Sequence, residues 1–185
     1  MTARLPPPRT LDEAQAAAVK AFEASRGRGP FGPFATLLHS PELMARCEAM
    51  GEYLRYRTAL EPRLSELAIL VVARHWNQPV EWAIHQPIAL QAGVPEDVAD
   101  AIGRGDRPKT LRPDETALYN FCRELCRTRT VGEAAYQAAL EHFGARGVID
   151  LTGICGYYAL LAGVMNVAGT EAPSGPRLWD LTRPD

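Results

Sequence analysis

The stretch Glu61–Gly93, EPRLSELAILVVARHWNQPVEWAIHQPIALQAG, decides how the chain folds. Its first half holds Leu64, Leu67, Ala68, Ile69, Leu70, Val71 and Val72. That density leaves almost no polar face and predicts a helix, Glu61–His75, buried on most sides. Pro62 suits its first turn, where a missing N–H breaks no hydrogen bond. Glu66 is the only charge between Arg63 and Arg74. A carboxyl group there must be paired, protonated or turned to a cavity, because burying it bare is too costly. Asn77-Gln78-Pro79 breaks the pattern, and a second helix is expected over Val80–Ala92, with Gly93 just past its end. Glu81 and His85 fall at i,i+4 on one face of it. If the two helices form a hairpin, Glu66 approaches the same place.

An imidazole oriented by a carboxylate can shuttle protons near neutral pH, and a buried, partly protonated Glu66 can act as the complementary acid. Gln78 shares the face of Glu81 and His85, while Trp82, Ile84 and Ile88 flank it with apolar surface. Pro87 should kink the helix one turn beyond His85.

Outward from this pair the pattern stays helical. Thr10 and Glu13 read as a capping box opening a helix to about Ser25, after a loose tail over 1–9. Gly, Pro and Phe alternate through Arg26–Phe34, which forbids regular structure and reads either as a shaped loop lining a pocket or as a plain connector. Ser40-Pro41 starts a helix to about Tyr56. Further helices are expected over Pro95–Ile102, Pro113 to about Arg127, Thr130-x-x-Glu133 to about His142, and 146–168. No strand-like alternation survives, so the fold class is all-α. Residues 1–33 read as an N-terminal helix and loop extension, 34–170 as the helical domain, and 171–185 as an extended tail in which Leu178 and Trp179 can dock on a neighbour.

Length and composition bound the function. The chain has 185 residues and a formal net charge of −2, with acids and bases intermixed. One domain with a substantial core is expected, and nothing suggests a nucleic-acid partner. Pro6-Pro7-Pro8 occupies the place where a secretory signal needs an apolar core, so a cytoplasmic protein is expected. Leu151–Thr170 carries no charge and is long enough to cross a bilayer. Gly153, Gly156, Gly163, Gly169, Thr152 and Asn166 interrupt it, and a central or subunit-interface helix explains it better than a membrane span. That apolar surface, with the Gly-Pro-aromatic loop, exceeds what one small helical domain hides, so a homo-oligomer is expected.

Cys47, Cys122, Cys126 and Cys155 lack metal-site spacing and read as reduced core residues. Glu81-x-x-x-His85 can supply two metal ligands but no third, so no metal is expected. A thiol redox role through Cys122 and Cys126 stands as a further alternative, although their helical spacing makes a bond between them awkward.

Arg63-Leu64-x-Glu66-Leu67-Ala68-Ile69-Leu70, Glu81-x-x-x-His85 and Ala92-Gly93-Val94 resemble the carboxymuconolactone decarboxylase family, which shares the alkylhydroperoxidase D-like helical bundle. Gly156-Tyr157-Tyr158 and Asn166 resemble the family's closing helix, so the resemblance spans roughly residues 40–170. In the peroxidase branch a glutamate, a Cys-x-x-Cys and a histidine carry the chemistry. Glu66 and His85 fall on the glutamate and histidine, whereas Gln78 and Glu81 fall on the two cysteines. Neither can be a thiolate nucleophile or a resolving thiol. The decarboxylase branch is what remains. It implies a cofactor-independent lyase of aromatic-compound catabolism, acting on a small lactone bearing carboxylates and assembled as a trimer or hexamer. In that reading His85 is proton donor or shuttle, Glu81 orients it, and Glu66 is the second acid–base group. Arg74, then Arg57, would hold the substrate's carboxylate, with Gln78 and Trp82 beside it. A non-catalytic binding or assembly protein is the alternative.

Overall fold

The turn between the two central helices shows why that stretch divides as it does. The computed structural model, which describes residues 3–175, has α4 over Pro62–His75 and α5 over Pro79–Gln91. Asn77 takes the left-handed conformation at φ 47°, which asparagine tolerates better than most residues. The Gln78 side chain then accepts from the Val80 amide at 2.7 Å and caps α5. From there α5 runs on through Pro87 to Gln91.

Among the described residues the rest is helical too. In chain order come α1 Glu13–Arg26, α2 Pro33–Leu37, α3 Pro41–Tyr56, then, after α4 and α5, α6 Glu96–Gly103, α7 Pro113–Thr128 and α8 Glu133–Ala168. α4 is the axis: Leu67, Ala68, Leu70, Val72 and Ala73 have no exposed surface. It packs against α3, α5, α6, α7 and α8. Its start is tied to α7 by Arg63, which donates to Glu115 and Asp114 at 2.5 Å each. Glu115 is wholly buried, so this is a charge-assisted bond out of water.

α8 breaks at Gly144, whose φ of 65° and ψ of 176° lie outside the helix, a conformation that costs glycine little. Beyond that break lies the uncharged run, and Leu151, Ile154, Ala162 and Met165 within it have no exposed surface. Over half of the most apolar window of α8, 56%, is buried inside the chain. Packing explains that helix without a bilayer. Where α3 meets α8, any side chain at Gly51 would overlap the Tyr157 ring. The glycine sets how closely the helices approach.

Several local expectations are corrected. α1 is capped by Asp12 and not Thr10: Asp12 accepts from the Gln15 amide at 2.8 Å, and Gln15 answers at 3.1 Å. Asp12 stands next to the first helical turn, and Thr10 does not. At α8 the cap is Gly132, not Thr130, and its amide donates to Glu124 at 2.8 Å. The described part of the N-terminal tail is not loose, since the Leu5 amide donates to Ala168 at 3.0 Å and Pro6 O lies 2.9 Å from His39 Nε2. The helix α2 was hidden by the glycines and prolines before it. Leu178 and Trp179 lie outside the described residues.

Candidate active site

Six parts of the chain enclose a cavity of about 100 Å³. α5 contributes Glu81, Ile84, His85 and Ile88, and α8 contributes Tyr157, Tyr158 and Leu161. Arg55 and Gly51 come from α3. The remaining wall is Phe22 and Arg26 of α1, Arg28 and Phe31 of the loop, and Pro33 and Phe34 of α2. The Gly-Pro-aromatic loop therefore does line a pocket.

Glu66 and His85 meet behind this wall. Glu66 Oε2 lies 2.7 Å from His85 Nδ1, with both side chains buried. A carboxylate only accepts, so Nδ1 carries the proton and Nε2 is the basic nitrogen. Nε2 makes no hydrogen bond among the described residues, and the ring sits edge-on to Tyr158 at 5.1 Å between centroids. The other Glu66 oxygen faces Arg55 Nη2 at 3.6 Å. Arg55, Glu66 and His85 thus form a chain ending on a free imidazole nitrogen.

Glu81 is in the opposite condition. It is 2% exposed, and neither carboxyl oxygen has a hydrogen-bond partner. Burial holds its pKa well above the usual carboxylate range, because an ion in that setting loses its hydration without compensation. The cavity wall therefore combines a neutral carboxylic acid with a basic imidazole. Nearby, burial pushes the Tyr158 hydroxyl well up. It raises Tyr157 too, and that hydroxyl donates to Cys47 O at 2.9 Å.

The expected pairing of Glu81 with His85 is not formed. Glu66 takes the ring nitrogen instead, because the facing helix offers it along the Nδ1–H direction. Of the other candidates, Gln78 is spent on structure, donating to Asn166 at 2.8 Å besides its capping bond. Trp82 is a core side chain, 2% exposed. Arg74 donates to Asn77 and lies with Gly105, Asp106 and Tyr119, away from the cavity. Arg57 pairs with Glu52 near the surface. None of these four lines the cavity. The cation that does, Arg55, carried one overlooked signal: it falls four residues after Gly51 at the edge of the stripe Met44, Cys47, Gly51, Leu54 that α3 buries.

Cys122 and Cys155 are buried with sulfurs 3.5 Å apart. The Cys122 contact, with burial, holds the Cys155 thiol well up. Cys122 thus meets Cys155 of α8 across the core. Among the described residues no three His, Cys, Asp or Glu side chains are grouped closely enough to hold a metal ion.

Residues 41–108 match the carboxymuconolactone decarboxylase family model. No curated protein sequence matches the chain. Solved structures share its fold at low identity. A peroxidase-related protein with an alkylhydroperoxidase AhpD core from Ralstonia eutropha JMP134 superposes with a TM-score of 0.71 at 20% identity, over 93% of each chain. A peroxidase-related protein from Silicibacter sp. TM1040 gives a TM-score of 0.74 at 16% identity, over 92% of this chain and 90% of that one. A cysteine-to-alanine variant of the debrominase Bmp8, in complex with 2,3,4-tribromopyrrole, gives 0.71 at 12% identity, over 94% and 93%. The fold thus serves more than one activity. The α3–α6 segment thus matches the carboxymuconolactone decarboxylase family model, and the fold along nearly the whole chain is the alkylhydroperoxidase D-like helical one.

Proposed function

We propose that the protein is a lyase that removes a carboxylate as CO₂ from a small carboxylated or lactone compound, using acid–base groups of its own chain. The observation that carries this reading is the unpartnered, buried carboxyl of Glu81 in the same cavity wall as the Glu66-held imidazole of His85. As the carbon–carbon bond breaks, CO₂ departs and the bonding electron pair stays on the substrate carbon. Glu81 donates its proton there and becomes a carboxylate. His85, with Nε2 open to the cavity, relays a proton from water back to Glu81. Glu66 keeps the ring in the required tautomer, and Arg55 balances its charge. Glu81 and Glu66 thus exchange the parts that spacing alone assigned to them.

The absence of cysteines at positions 78 and 81 supports acid–base over thiol chemistry. We read the protein as cytoplasmic and as acting on products of aromatic-compound breakdown. A panel of lactones and β-keto acids from such breakdown, assayed for CO₂ release, tests this. At least one should be turned over, and His85→Gln should lower the rate by about a hundredfold or more. Turnover that survives this substitution removes His85 from the mechanism. No release from any member favours a binding protein instead.

A further inference from the structure

Two buried polar groups in the cavity lining lack partners, and they differ in kind. Arg55 Nε–H has no hydrogen-bond acceptor, and Glu81 has no partner for either oxygen. An unmade buried hydrogen bond costs about 1–3 kcal/mol, and more at a charged group. The Tyr158 hydroxyl, beside them, also makes no hydrogen bond among the described residues. Ligand oxygen would satisfy the Arg55 and Tyr158 donors.

Charge narrows the class. Arg26 is bonded to Glu48 at 3.0 Å. Arg28 is exposed at the mouth, stacked over Phe31 at 3.5 Å. Inside, Arg55 faces Glu66 only through Nη2, at 3.6 Å, so Nε remains for a ligand. One guanidinium beside Glu66 admits a single added negative charge. A second charge would meet the Glu66 carboxylate in a setting where such repulsion is weakly screened.

Shape narrows it again. The rest of the lining is apolar, with Phe22, Phe34, Ile84, Ile88 and Leu161 prominent. The volume of about 100 Å³ compares with roughly 150 Å³ for an engineered apolar cavity that takes benzene. The occupant is one small ring or a short chain.

We propose that Arg55 is the anion-anchoring residue of this cavity, and that its ligand is a small organic monoanion with its oxyanion on Arg55 Nε–H and its apolar body against α1, α2 and α5. The chemical step after binding rests on the lyase reading.

Calorimetric titration of the full chain with benzoate, benzamide and phthalate tests the proposal. Benzoate should bind at least tenfold tighter than neutral benzamide of the same shape, and tighter than the phthalate dianion. Arg55→Gln should erase the preference for benzoate over benzamide, and His85→Gln should keep it. Should Arg55→Gln fail to melt cooperatively, the three-ligand comparison on the native chain decides by itself. Benzamide or phthalate binding as tightly as benzoate overturns the proposal. So does the lack of benzoate binding at millimolar concentration, or a preference that survives Arg55→Gln. A benzoate preference together with turnover indifferent to His85→Gln would instead leave Arg55 as anchor and remove the lyase reading.

Discussion

Glu66 Oε2 stands 2.7 Å from His85 Nδ1 although nineteen residues separate them in sequence and each belongs to a different helix. That contact turns a hairpin of two buried helices into a chemical device. It consumes the imidazole's N–H on the protein side and leaves its lone pair on the cavity side. Across the cavity wall, Glu81 keeps a proton for lack of any neighbour to stabilise its anion.

Glu66→Gln should therefore impair turnover without abolishing folding. An amide can still meet Nδ1, but it neither compels that tautomer nor stabilises a protonated ring. The loss in kcat should be about tenfold or more, short of the hundredfold or greater loss of His85→Gln, with KM little changed. Steady-state kinetics on any substrate found by CO₂ release checks this. A Glu66→Gln enzyme with unchanged kcat would show that His85 needs no orienting partner.

Glu81→Gln should change how stability depends on pH. A free glutamate titrates near about pH 4.3, and burial raises the folded value well above that. Between the two values the folded chain holds a proton that the unfolded chain releases. Stability contributed by this group is thus complete below the unfolded value and is lost as pH rises through the folded one. Glutamine, always neutral, removes this loss. The variant and the native protein should melt together near about pH 4, and the variant should melt higher at neutral pH. Parallel melting curves at both pH values would contradict the buried, protonated Glu81.

Arg63→Leu should destabilise the chain by about 3–5 kcal/mol, because it strands the fully buried Glu115 without its counter-charge. Chemical denaturation at neutral pH measures it. The same ion network lowers the Asp114 pKa: burial would raise it, but the Arg63 hydrogen bond and charge together with backbone hydrogen bonds outweigh that. Its stabilisation is present above the ordinary carboxylate range and fades as pH falls through the lowered folded value. The gap between native and variant should therefore narrow in acid.

Ile149, Leu160 and Val167 stand exposed on α8, with Trp76 exposed beyond the end of α4. Solvated apolar surface of this kind is suited to self-association. Light scattering at micromolar concentration should report a trimer or hexamer. Ile149→Lys together with Val167→Lys should reduce it to monomers, and a native monomer would contradict this reading.

The sequence made the helical hairpin legible because Leu64–Val72 permits almost nothing else, and it brought Glu66 and His85 to one place. It did not reveal which acid partners the imidazole. An i,i+4 spacing shows that Glu81 can reach His85, but whether it does depends on what the facing helix offers. Arg74 was chosen for being near in sequence, yet its side chain turns toward Gly105 and Asp106 on the far side of α4. Arg55 was missed although Arg57, two positions on, was named: only the packing of α3 decides which of the two turns to the cavity. The wall built from Phe22, Phe31 and Phe34 was half legible, as a shaped loop without a known neighbour. α2 was lost because five residues are too few for a helical period to register among prolines and glycines.

The protonation states of Glu81 and His85 are open to direct reading by NMR titration of the full chain, labelled with ¹³C at glutamate carboxyls and ¹⁵N at histidine rings, with Glu81→Gln and His85→Gln supplying the assignments. At neutral pH the Glu81 carboxyl should carry its proton, and the neutral His85 ring should be the Nδ1–H tautomer, its proton directed at Glu66. A Glu81 signal already ionised near about pH 5, within the ordinary carboxylate range, or a His85 ring protonated at Nε2 alone, would contradict the proton-transfer mechanism.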